Sequence, residues 1–197
     1  SRNRPPESRP ISRRTLLIAI TAVAVLGFSA AAFYYNRATT PVQVTAPVQD
    51  SSALVRFNAP SFGPAKASVT VVEFFDPSCE SCRAFYPIVK QMMAKHPDDI
   101  RLVLRYVPLH VGSEQAIRLL ETARKQGVYP QVLEAVLESQ PQWHDDANAT
   151  AAWTAAIQAG LDEAKAREIL MSAEITATIA RDATDANVTR AAAAARV

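Results

Sequence analysis

A run of β-branched and aromatic residues passes directly into a helical pattern whose first turn carries both cysteines of the chain. Residues 71–90 read VVEFFDPSCESCRAFYPIVK. The stretch from Ser68 to Asp76 has the composition of a mostly buried strand. From Cys79 the period changes, and Phe85, Ile88, Val89 and Met92 recur at helical spacing until KHPDD interrupts them. Ile100 to Pro108 reads as a second strand. Strand, helix, strand over about 40 residues is a βαβ unit, and such a unit implies a parallel sheet.

The remainder is helical in pattern. Ser113 is placed to cap a helix with Ala116, Ile117, Leu120 and Ala123 on one face, ending at Gly127. Val132, Leu133, Val136 and Leu137 mark a second helix. Trp153 and Ile157 mark a third, closed by Gly160. Asp162 caps a fourth that holds Ile169 and Leu170, and Ile175 and Ile179 lie in a fifth running toward the end. The fold class is α/β.

Cys79 and Cys82 are the only cysteines. A helix N-terminus offers unpaired N–H groups and the positive end of the helix dipole, an environment that stabilises a thiolate at Cys79. Cys82, one turn on, is close enough to close a disulfide. Attack by Cys79 on a substrate disulfide gives a mixed disulfide that Cys82 resolves. Other uses of the pair have weaker support. A structural zinc site needs four ligands, and His96, His110 and His144 fit no finger or ribbon spacing. A c-type haem needs His after the second Cys, where Arg83 stands. A purely structural disulfide would close too short a loop to constrain the unfolded chain much. Met92 and Met93 are soft ligand types, but they sit on the apolar helix face and read as core. His96 and His110 read as capping or exposed residues.

The N-terminus differs from the body. No charge occurs from Thr15 to Asn36, which as a helix spans about 33 Å, the thickness of a hydrocarbon core. Arg2, Arg4, Arg9, Arg13 and Arg14 precede this run and Arg37 alone follows closely. The expected organisation is a basic cytoplasmic tail (1–14), a transmembrane signal-anchor (15–36) with Tyr34 and Tyr35 at the interface, a Pro/Thr/Gln-rich linker (37–53) and a domain from Leu54 to the end. A cleaved signal peptide, with small residues around Ala30–Ala32 at the cleavage site, is the rival reading. Either one sends the domain out of the cytoplasm, where disulfide chemistry is allowed. The body is mildly acidic and carries no basic stripe, which argues against a nucleic-acid partner.

The segment FGPAKASVTVVEFFDPSCESCRAFYP, residues 62–87, resembles the DsbA-type thiol–disulfide oxidoreductases, a branch of the thioredoxin superfamily, and most of all their membrane-anchored bacterial members. The resemblance runs from about Leu54 to Ala186. It implies a thioredoxin-like fold with a helical insertion at about 113–180. It implies Cys79 as the exposed nucleophile, Cys82 as the buried resolving thiol, and Glu73 as a buried acid that accepts the resolving thiol's proton. Glu80 and Ser81 stand where strongly oxidising members have Pro-His, which implies a less oxidising pair. The implied partners are exported proteins with thiols or disulfides and a membrane redox partner for recycling, on the periplasmic side of a bacterial cytoplasmic membrane. No bound cofactor is implied.

The resemblance has a gap. Such folds continue after the helices with a cis-proline loop, two antiparallel strands and a last helix. Here no proline follows Pro141, and the sequence closes on VTRAAAAARV. The expectation is a C-terminally incomplete domain with an open apolar sheet edge and reduced stability. A non-catalytic remnant or a thiol-based metal-delivery module is the alternative function.

Overall fold

The computed structural model describes residues 13–38 and 54–194. The chain divides into two compact units, Ser1–Gln49 and Asp50–Val197. In the first, α1 runs from Arg13 to Ala38. The tail at 1–12, most of the linker (39–53) and the side chains of Tyr34 and Tyr35 lie outside the described residues. Counting only described residues, no helix is long and apolar enough to cross a membrane.

The second unit is built on a three-stranded sheet in the order β1-β3-β2. β2 (Val69–Phe75) pairs in parallel with β3 (Ile100–Tyr106), from Val69↔Ile100 to Phe75↔Tyr106. The helix between them, α2 (Glu80–Lys95), completes the βαβ unit that the sequence predicts. The short strand β1 (Ser61–Phe62) is not legible in the sequence; it pairs antiparallel on the other side of β3. Gly63 (φ 85°) makes this pairing possible, since a Cβ there would stand 2.3 Å from the Ile100 carbonyl oxygen.

Among the described residues five α-helices follow: α3 (Ser113–Lys125), α4 (Tyr129–Glu138), α5 (Thr150–Gln158), α6 (Glu163–Ile169) and α7 (Ala173–Ala194). Val132, Leu133, Ile175 and Ile179 are buried, as their spacing predicts. Asp162 caps α6 by accepting the Lys165 N–H. Ser113 is not the cap of α3: Gly112, in the left-handed region (φ 77°), holds that position, and Ser113 begins the helix. Ile157, expected in the core, is exposed, and the neighbouring Ala156 is buried in its place.

The central strand β3 is held to α7 by ion pairs as well as by packing. Fully buried Arg105 donates to Asp182 (2.8 Å) and Asp185 (2.6 Å), while Arg56 reaches the same Asp185 at 2.9 Å. Asp182 also accepts the Tyr106 N–H. The hydrogen bonds from Arg56, then those from Arg105, hold the Asp185 carboxyl below the usual carboxylate range against the opposing effect of burial.

Of the α2 residues whose spacing predicts a core face, Val89 meets the core and Phe85, Ile88 and Met92 do not. Phe85 is 60 % exposed, Ile88 57 % and Met92 38 %. The residues that meet the core are Cys82, Tyr86, Val89 and Met93. Both stripes are apolar, so periodicity alone does not say which one the sheet covers. Among the described residues, β2 is the sheet edge on that side, and Val69 is half-exposed there.

Candidate active site

The loop from β2 into α2 is short and fully enclosed. Phe75, Asp76, Pro77 and Ser78 are all buried, and exposure returns at Cys79. Cys79 is the N-cap of α2, with extended backbone (φ −74°, ψ 118°) and no side-chain capping bond. Its N–H donates to the Asp76 carbonyl at 3.1 Å, and its own carbonyl accepts the Arg83 N–H at 3.1 Å, starting the helix. The sulfur is therefore free for chemistry at the end of the helix where N–H groups are unpaired.

Cys79 and Cys82 are both half-buried free thiols, near enough for each to bear on the other's charge. Burial pushes the Cys82 thiol up to about 12. The neighbouring Cys79 and the charge of Glu73 push the same way, and a hydrogen bond with the Asp76 backbone opposes them. Glu73, on β2, is half-buried, and burial raises its carboxyl above the usual range. It lies within electrostatic reach of Cys82 and of Tyr86, whose phenol burial raises to about 12. The structure thus brings Cys79, Cys82 and Glu73 into one neighbourhood. Glu80 and Ser81 sit exposed on the first turn beside them.

Two anchors of this loop had no clear signal in the sequence. The first is Asp76. Its carboxylate accepts the Ser78 N–H (2.9 Å), the Leu109 N–H (2.9 Å) and the Ser113 hydroxyl (2.6 Å), and pairs with His110 Nδ1 at 2.7 Å. Ser78 in turn donates to the Val111 carbonyl at 2.9 Å. The loop before Cys79 and the loop before α3 are therefore one hydrogen-bonded unit. His110, expected to be a capping or exposed residue, is half-exposed and paired. An acid directly after an apolar strand is the one sequence signal that points to Asp76.

The second anchor is Gln140, in a single 3-10 turn (Gln140–Gln142) after α4. It is fully buried. Its amide N–H donates to the Pro77 carbonyl at 2.8 Å, and its carbonyl accepts the Arg83 Nε–H at 2.9 Å. Far from the cysteines in sequence, it offers no local pattern to read. Among the described residues, no group of three or more His, Cys, Asp or Glu is placed to hold a metal ion.

Comparison with known proteins accords with this geometry. A family model described as thioredoxin matches residues 58–195. A thioredoxin-like oxidoreductase from Silicibacter pomeroyi superposes with a TM-score of 0.61 at 34 % identity, covering 70 % of this chain and 77 % of that one. The thiol:disulfide interchange protein DsbA of Bordetella parapertussis is 25 % identical over 149 residues, 73 % of this chain and 69 % of that protein. The Na(+)/H(+) antiporter NhaA 3 of Salinispora tropica is 31 % identical over 83 residues, 41 % of this chain but only 13 % of that much longer protein.

Proposed function

Because the chain belongs to the thioredoxin family, we propose that it is a thiol–disulfide oxidoreductase acting through Cys79 and Cys82 on the cysteines of exported proteins. The observation that carries this reading is Cys79 standing as the N-cap of α2 with no side-chain capping bond, and a half-buried free Cys82 one turn on.

In the oxidising direction, a substrate thiolate attacks Cys79 Sγ of the Cys79–Cys82 disulfide, and Cys82 leaves as a thiolate that takes up a proton. A second substrate thiolate then attacks the substrate sulfur of the mixed disulfide and expels Cys79. Two electrons pass from substrate to protein, and the reverse sequence reduces a substrate disulfide. Glu73 is the proton carrier for Cys82: a carboxyl raised by burial, beside a thiol whose protonated form burial favours. Glu80 opposes negative charge at Cys79 and makes the pair less oxidising. A membrane redox partner recycles it, and the basic and apolar N-terminal region directs the domain outside the cytoplasm, as the arginines before Thr15 indicate.

The test is trapping on a scrambled-disulfide protein substrate. Cys82→Ser is expected to accumulate a mixed disulfide through Cys79, and Cys79→Ser to form none. Absence of any Cys79-dependent adduct overturns the reading.

A further inference from the structure

We propose that Gln140 is a positioning residue for the dithiol, and that through it the helical region after β3 sets the redox equilibrium of Cys79 and Cys82. The proposal rests on the thiol–disulfide reading above. Burying an amide is costly unless both of its polar ends are satisfied. At 0 % exposure, Gln140 has both ends satisfied, by the two residues that flank the cysteine pair. Pro77 lies two residues before Cys79, and Arg83 directly follows Cys82. One side chain from outside the βαβ unit thus spans the whole Cys-x-x-Cys segment.

The placement bears on the chemistry because the two redox states need different geometries. A disulfide requires the two Cβ atoms within about 3.5–4.5 Å and a fixed torsion about the S–S bond. The clamp is complete while Cys79 and Cys82 are free thiols. An interaction made in the dithiol state and weakened on closure favours the dithiol. Since a stabilised reduced form makes a stronger oxidant, Gln140 moves the pair in the oxidising direction, against Glu80. The Gln140 amide does not ionise, so this contribution is independent of pH.

The balanced reaction to follow is the Cys79–Cys82 disulfide plus two glutathione giving the protein dithiol plus glutathione disulfide. Full-length wild type, Gln140→Ala and Gln140→Glu are equilibrated across glutathione ratios, quenched by alkylation and read by mass. The oxidised and reduced forms of each are also melted separately. Gln140→Ala is expected to favour the disulfide by about tenfold, which is about 30 mV for this two-electron couple. It should lower the Tm of the reduced form more than that of the oxidised form. Gln140→Glu keeps the acceptor for Arg83 and loses the donor to Pro77, so a shift in the same direction is expected; it carries the measurement if the alanine variant does not fold. Unchanged equilibrium constants with equal loss of Tm in both forms would show that Gln140 only fills space, and would overturn the proposal. A wild type with no exchangeable disulfide overturns the thiol–disulfide reading itself, and this proposal with it.

Discussion

Asp76 Oδ2 lies 2.7 Å from His110 Nδ1, and this pair fastens the loop before Cys79 to the loop before α3. The carboxylate is buried, whereas the imidazole is half-exposed. The two partners should therefore contribute unequally to stability. Asp76→Asn keeps one acceptor oxygen and puts an NH2 in place of the other, so either the Ser78 or the Leu109 N–H is left facing a donor. We expect it to cost about 2–3 kcal/mol in urea unfolding. His110→Ala should cost less than about 1 kcal/mol. Equal losses would mean that the ion pair, rather than the buried acceptor, holds the loops together.

Arg105 pairs with Asp182 at 2.7 Å and shares Asp185 with Arg56. Replacing it with methionine leaves buried Asp182 without its arginine and Asp185 with Arg56 alone. The expected loss is about 3–5 kcal/mol at pH 7. The Asp185 carboxyl is held below its ordinary value of 3.8. Its contribution to stability is therefore present above about pH 4 and lost as pH falls through the depressed value. Arg105→Met should flatten the acid limb of the stability profile, and an unchanged acid limb would count against this assignment.

Glu73 titrates with the opposite sign. Burial raises its carboxyl above 4.5, so the folded state prefers the protonated form. Its favourable contribution is present below about pH 4.5 and is lost as pH rises through the folded value. Glu73→Gln should raise stability at pH 7 by up to about 1 kcal/mol, the gain shrinking toward pH 4. The same variant should slow release of Cys82 from its disulfide if Glu73 carries that proton. Loss of stability at pH 7 would show that the carboxylate has a favourable partner instead.

The outward stripe of α2 should behave as surface. Phe85→Ser and Ile88→Ser are expected to change unfolding free energy by no more than about 0.5 kcal/mol, while lowering binding of a hydrophobic dye and self-association. A loss above about 2 kcal/mol in the purified chain would show that another part of the molecule covers this stripe.

Local pattern in the sequence is enough for the βαβ unit, the place of both cysteines at the head of α2, and most of the helices after β3. These are local properties: strand composition, helical period and caps act within a few residues, and β2, α2 and α6 show them directly. The tertiary structure alone decided which apolar stripe of α2 meets the core, because two stripes qualify and only the position of the sheet selects between them. It alone decided that β1 pairs with β3, since a two-residue strand has no period to read. It also brought Gln140 to Pro77 and Arg83, and α7 to Arg105. Those contacts join residues far apart in the chain, and a buried polar group finds its partner through the packing of whole elements, which no local pattern encodes.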